Sequence, residues 1–110
     1  MKLTKAIIRP NKVDDAKTAL ERLGVSGVTV TDVRGHGQQK GRSTFYRGQE
    51  YRVSLVPKVE LEVVASDEMV EEIVQAIVQT ARTGDIGDGR VFVIPVVESY
   101  RIRTRALIQD

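Results

Sequence analysis

The 110-residue chain has no cysteine, which excludes disulfides, thiolate metal sites and a cysteine nucleophile. The absence suits a reducing cytosol, and a cytoplasmic location is the expectation. Tryptophan is missing too, and only two phenylalanines and three tyrosines are present. His36 is the only histidine. No apolar run approaches the roughly 20 residues of a membrane span. No long apolar segment follows Met1-Lys2-Leu3-Thr4-Lys5, so no signal peptide is visible and any membrane role would come through a partner. Charge of one sign is also lacking. Seventeen basic and fifteen acidic residues leave a net charge of +2, too little by itself to imply direct nucleic-acid or membrane binding. Catalytic patterns are absent as well. There is no G-x-x-x-x-G-K-[ST] phosphate loop. None of Ser26, Ser43, Ser54, Ser66 and Ser99 stands in a nucleophile context. Nothing marks Glu60 or Glu62 as a tuned acid or base. These absences point away from an enzyme.

What is present reads as one small domain spanning residues 1–110. Ala6-Ile7-Ile8, ended by Pro10, is a first strand. Asn11 stands as a helix cap, with Asp14 three residues on in the capping-box position. Val13, Ala16, Leu20 and Leu23 then make one apolar stripe up to Gly24. Val28 to Thr31 is a second strand, with Val33 breaking its phase at a bulge or at the strand's end. Lys58 to Ala65 alternates cleanly and is a third strand with one buried face. Ser66 or Asp67 caps a second helix with Val70, Ile73, Val74, Ile77, Val78 and Ala81 on one side, ended by Gly84. Val91 to Ile94 is the fourth strand. The order βαββαβ predicts an α+β, ferredoxin-like fold, with a four-stranded antiparallel sheet and both helices on one face. Its second face would be solvated if polar and would need a partner subunit if apolar.

Between the second and third strands, Arg34 to Arg52 has no clear periodicity. It holds four glycines, five basic residues and the single acid Glu50. Connections beyond about 12–15 residues are uncommon and usually functional or disordered, so this loop, with Phe45, Tyr46 and Tyr51, reads as a recognition element. Three further features suit an anion. Thr83 to Arg90 is glycine-rich, freeing backbone amides to approach a phosphate, and Arg90 adds charge. Alternation through Arg101-Ile102-Arg103-Thr104-Arg105 would put three arginines on one side of an extended segment. Lys58 opens the third strand. A phosphate site assembled from separated segments suits a nucleotide better than a metal or an acyl group.

Gly35-His36-Gly37-Gln38-Gln39-Lys40-Gly41, Tyr46-Arg47-Gly48-Gln49-Glu50-Tyr51 and Pro57-Lys58 resemble the loop region of the PII signal-transduction family. Ala81-Arg82-Thr83-Gly84, Ile86-Gly87-Asp88-Gly89 and Arg101-Ile102-Arg103-Thr104 do so as well, and the similarity runs from Met1 to about Thr104. The resemblance implies a homotrimer that binds ATP or ADP in clefts between subunits, and 2-oxoglutarate together with Mg-ATP. It implies output through the long T-loop, about residues 37–55, to an ammonium channel, a metabolic enzyme or a transcription regulator. The nucleotide loop would be about residues 82–90 and the C-terminal loop about 101–110.

By position, the resemblance assigns nucleotide binding to Thr29, Gly35, His36, Gly37, Gln38, Gln39, Glu62, Val64, Gly87, Asp88, Gly89, Arg90, Arg101 and Arg103. Thr29, Glu62 and Val64 would surround the adenine, and Gly87 to Arg90 would hold phosphates. Arg101 and Arg103 would reach across from a neighbouring subunit. It assigns 2-oxoglutarate to Gly37, Gln38, Gln39, Gly41 and Lys58, Mg coordination to Gln39, and a nucleotidylylation site to Tyr51. The sequence also departs from the family. Gln38 replaces a frequent arginine, which would remove one phosphate contact. Arg90 replaces a lysine, keeping charge but not geometry. His36 replaces a common phenylalanine. Arg105-Ala106-Leu107-Ile108-Gln109-Asp110 replaces a glycine-containing tail. Two alternative functions stand beside the sensor: a divergent member tuned to another ligand or partner, and an RNA-binding ferredoxin-like module. The second would need exposed sheet aromatics, and only Phe92 lies in a core strand.

Overall fold

A computed structural model describes residues 1–36 and 55–108 in full, and the backbone alone of 43–46 and 49–52. Strand β1 (Lys2–Ile8) leads into helix α1 (Val13–Arg22) and strand β2 (Thr29–Gly35). Two short strands, β3 (Ser43–Tyr46) and β4 (Gln49–Arg52), pair antiparallel as a separate hairpin. Strand β5 (Val56–Ala65), helix α2 (Val70–Ala81) and strand β6 (Gly89–Pro95) complete the order. The main sheet runs β2-β5-β1-β6 with every neighbour antiparallel. This is the ferredoxin-like arrangement, with β2 and β6 at its edges.

Alternation builds the core. Ala6 and Ile8 from β1 and Val59, Leu61 and Val63 from β5 point to one face. Ala16 and Leu20 of α1, and Ile73, Ile77 and Ala81 of α2, cover that face and are buried with them. Each valine, leucine or isoleucine among them contributes about 1.5–3 kcal/mol when fully buried, so this one layer carries most of the stability. The helix stripes expected from three-and-four spacing therefore face the sheet through these residues, while Val78, expected on the α2 stripe, is exposed.

The register leaves a second face. Leu3 is opposite Val64 and Ile94, Lys5 opposite Glu62 and Phe92, and Ile7 opposite Glu60 and Arg90. Lys5 pairs with Glu60 at 3.6 Å, while Val64, Phe92 and Ile94 are exposed. That face is mixed, with Val64 and Ile94 open at one end and Phe92 open beside the charged middle.

Local signals fared unevenly at the element ends. Gly24 does stop α1, at φ +86°. Its amide donates to the Glu21 carbonyl and that of Val25 to the Leu20 carbonyl, the paired bonds of a Schellman cap. The Asn11 capping box does not form. Pro10–Lys12 is a 3₁₀ turn, Asn11 lies inside it, and α1 starts at Val13 with no side-chain cap bond. Ser66 likewise precedes a 3₁₀ turn, Asp67–Met69, without a side-chain cap bond. Asp67 is held instead by the Met1 ammonium at 2.7 Å and Lys2 at 3.2 Å. Its carboxyl is pulled below its ordinary value, first by the bond from the terminal ammonium and then by that from Lys2. Gly84 does not end α2: the helix finishes at Ala81, because Arg82 turns extended at ψ 131°. Val33 marks neither a bulge nor an end, since β2 pairs with β5 in unbroken register through Gly35.

Candidate functional site

Two of the three expected anion features, Lys58 and the loop ending at Arg90, meet at one end of the sheet. Gly35 ends β2 opposite Val56, and Lys58 lies two residues along β5, opposite Val33. Beside them the loop after α2 comes back to start β6. Gly35, His36, Lys58, Gly87, Gly89 and Arg90 line one cleft of about 560 Å³, together with Ile7, Val56, Ile86 and Phe92. Three separated segments thus supply two fixed cations, a histidine and glycine backbone around one space. Such a set suits a phosphate or carboxylate.

The loop at 82–90 is held by Asp88 and Arg9, outside the cleft, and by Lys58 within it. Asp88 accepts from the Thr83 hydroxyl at 2.5 Å, and from the Thr83 and Gly84 amides at 2.8 Å each. Arg9, at the end of β1, donates to Asp88 at 3.3 Å and to the Ile86 carbonyl at 3.0 Å. Lys58 Nζ donates to the Gly87 carbonyl at 2.5 Å. The Asp88 carboxylate therefore braces the loop rather than facing the cleft. Its bond from Thr83, helped by the two amides and Arg9, drives its pKa far below the usual carboxylate range, against the opposing effect of burial.

Because the folded value is depressed, this bracing is fully present above the ordinary aspartate pKa and is lost as pH falls through the folded one. Acid unfolding of the wild type is therefore expected to steepen below about pH 4. In Asp88→Asn that part of the stability-against-pH curve flattens, as circular dichroism on acid titration would show. Parallel curves for the two proteins would contradict the assignment.

A second cleft of about 620 Å³ lies at the other end of β1. Thr29 and Glu62, direct partners in the β2–β5 register, line it with Val64, Arg101, Met1, Leu3, Ser99 and Ile108. Leu3 and Ile7, one from each cleft, are four residues apart on β1, about 13 Å along the strand. The expected site residues that line these clefts therefore fall into two groups, one cationic and one mixed, at opposite ends of the same sheet.

The arginine row does not form. Residues 101–105 turn back instead of extending: the Arg105 amide donates to the Arg101 carbonyl at 2.7 Å, and Arg105 takes a left-handed φ of 61°. The alternation argument for three aligned arginines fails for that reason. Arg101 reaches the second cleft, whereas Arg103 is exposed in the turn and outside both.

The chain matches the family described as nitrogen regulatory protein P-II over residues 1–106. The chain belongs to the P-II family. It is 52% identical to the nitrogen regulatory protein P-II of Haemophilus influenzae over 104 residues, covering 94% of this chain and 93% of that protein. Against the P-II protein of Azospirillum brasilense it is 53% identical over 104 residues, with the same coverage. Against that of Cereibacter sphaeroides it is 52% identical over 110 residues, covering 100% and 98%.

For this P-II chain, Gly37, Gln38, Gln39 and Gly41, four of the five residues of the expected 2-oxoglutarate set, lie outside the described residues. Tyr51 falls in β4, with its side chain outside them. Among the described residues no helix is long and apolar enough to cross a membrane. Sequence reading missed Arg9, which helps position the loop at 82–90. Arg9 and Asp88 are 79 residues apart, and no local pattern links them. It also missed Ile7 and Phe92 as cleft walls. The β1–β6 register puts Phe92 opposite Lys5 and Arg90 opposite Ile7, a placement visible only once the pairing is known.

Proposed function

We propose that this P-II protein is a non-catalytic sensor that regulates partners of nitrogen metabolism through its T-loop. ATP or ADP binds between copies of a homotrimer, and 2-oxoglutarate joins with Mg-ATP. The observation that carries this reading is the cleft uniting Gly35, Lys58, Gly87, Gly89 and Arg90. Its amides and cations suit the phosphates. The Thr29–Glu62–Val64 cleft, with Arg101, suits a purine: apolar Val64 packs its face and polar neighbours meet its edge. One chain holds the two halves at opposite ends of β1, so the complete site pairs the phosphate half of one copy with the base half of the next. The partly apolar sheet face, with Val64, Phe92 and Ile94 exposed, is the surface that other copies would cover.

Mg²⁺ prefers oxygen ligands and keeps substrate phosphates among them. Gln39 is the residue assigned to it, and a side-chain amide oxygen suits such a hard cation. When bound, the ion would offset the negative charge of the phosphates and of the dicarboxylate. Lys58 then exchanges the Gly87 carbonyl for a 2-oxoglutarate carboxylate, a stronger, charge-assisted bond. The ligand shifts the T-loop because it binds one loop arrangement better than the other, and partner affinity follows by linkage. The partner would be an ammonium channel, an enzyme or a transcription regulator, with Tyr51 as a covalent control point where a bulky anion would alter docking. Calorimetric titration tests the reading: ATP and ADP each bind, to a protein that sediments as a trimer. A monomer that binds neither nucleotide would refute it.

A further inference from the structure

The anion cleft contains a group of a different kind from its two fixed cations. His36 follows directly on β2 and lines the cleft with Lys58 and Arg90. Lysine and arginine side chains ordinarily stay charged up to pH 10 and beyond. Imidazole is the side chain whose charge ordinarily changes between pH 5 and 8.

The charged groups on the surrounding elements do not cancel a third positive charge. Among the described residues no carboxylate lines the cleft. On β1 and at its end, Lys5 pairs with Glu60 of β5 at 3.6 Å, and Arg9 with Asp88 at 3.3 Å. Asp32 and Arg34 of β2, and Asp85 of the loop at 82–90, are exposed and outside the cleft. An imidazolium at His36 would therefore stand with two cations and no acid among the described walls. In the empty cleft those cations oppose its charge. A bound polyanion offsets them and attracts the extra proton.

We infer that His36 is a proton-dependent cation of the anion cleft: a bound polyanion draws a proton onto its imidazole, and the cleft holds that anion more tightly as pH falls from 8 to 6. This rests on the nucleotide reading above and adds that proton and nucleotide favour each other's binding. The sign follows from linkage, since whatever the anion does for the proton, the proton does for the anion. The coupling is modest because His36 is exposed and solvent screens it.

Calorimetry with ATP and no added Mg²⁺, at pH 6 and pH 8, tests this. A terminal phosphate also titrates near pH 6, so each protein is read as the ratio of its dissociation constant at pH 8 to that at pH 6, with His36→Gln as the reference. The wild-type ratio is expected to be about fivefold larger than that of His36→Gln, the size of one added charge in a partly screened site. At pH 7, in two buffers of different ionisation enthalpy, the wild type takes up more protons per ATP than His36→Gln. His36→Lys, whose charge is fixed, shows the ratio of His36→Gln yet binds ATP more tightly than it at pH 8. Equal ratios in the wild type and His36→Gln overturn the inference. So does a His36→Lys protein that binds no better than His36→Gln at pH 8. A wild type that binds no ATP at either pH fails the underlying reading instead, and takes the inference with it.

Discussion

Gly89→Ala is expected to destabilise the protein by about 3 kcal/mol or more and to abolish ATP binding. Gly89 has φ +104°, and a Cβ built there overlaps the Ile7 carbonyl oxygen and crowds Ile8 Cα at 3.3 Å. Both neighbours are backbone of β1, locked by their pairing to β5 and β6, so neither can swing aside as a side chain would. Relief requires parting β6 from β1 where the loop at 82–90 joins the sheet. Stability and the phosphate half are damaged by one event. Gly35→Ala is the control: its Cβ would meet only Lys58 Cγ, at an ordinary 3.4 Å, and the change is expected to cost less than about 1 kcal/mol. Denaturant unfolding and ATP calorimetry on both variants check this. A Gly89→Ala protein as stable as Gly35→Ala would show that β1 does not approach the loop so closely.

Lys58→Ala is expected to weaken 2-oxoglutarate by about 100-fold, the size of a lost charge-assisted contact. Lys58 stands in the cleft with its ammonium already on the Gly87 carbonyl, so the change has two parts. The carboxylate loses its cation, and the carbonyl loses a donor. The second part alone lowers ATP affinity only about threefold, because Arg9 and Asp88 still brace the loop. Lys58→Arg keeps the charge but not the shape, and is expected to recover only part of the loss. The diagnostic result is the gap between the two ligands, read by calorimetry. Equal weakening of ATP and 2-oxoglutarate would make Lys58 a brace for the loop rather than a ligand residue.

The sheet and helices were legible because their physics is local. Alternation through Val59, Leu61 and Val63, and the spacing of Ile73, Ile77 and Ala81, each encode a buried face without help from distant residues. Gly24 was legible for a similar reason: a left-handed residue after a helix needs little context. The caps at Asn11 and Ser66 misled, since a proline at 10 and a salt-bridged Asp67 set tight turns that local preference does not anticipate. Gly84 misled because Arg82 had already left the helix. In the long connection, Ser43 to Tyr46 is rich in strand-forming Thr, Phe and Tyr, a cue to the β3–β4 hairpin that the surrounding glycines obscured. The anion cleft was legible as residue types and not as geometry. Asp88 reads as a phosphate-loop residue, yet its carboxylate is committed to Thr83, Gly84 and Arg9, partners that only folding brings together. The arginine row failed on one residue, the left-handed Arg105.

The claim on which the rest depends is that nucleotide gates the response to 2-oxoglutarate. Calorimetric titration of 2-oxoglutarate into the wild-type protein, with and without saturating Mg-ATP, tests it most directly. The account predicts binding in the presence of Mg-ATP and at least a tenfold loss without it, a coupling of about 1.4 kcal/mol. Equal binding under the two conditions, or none under either, would contradict it.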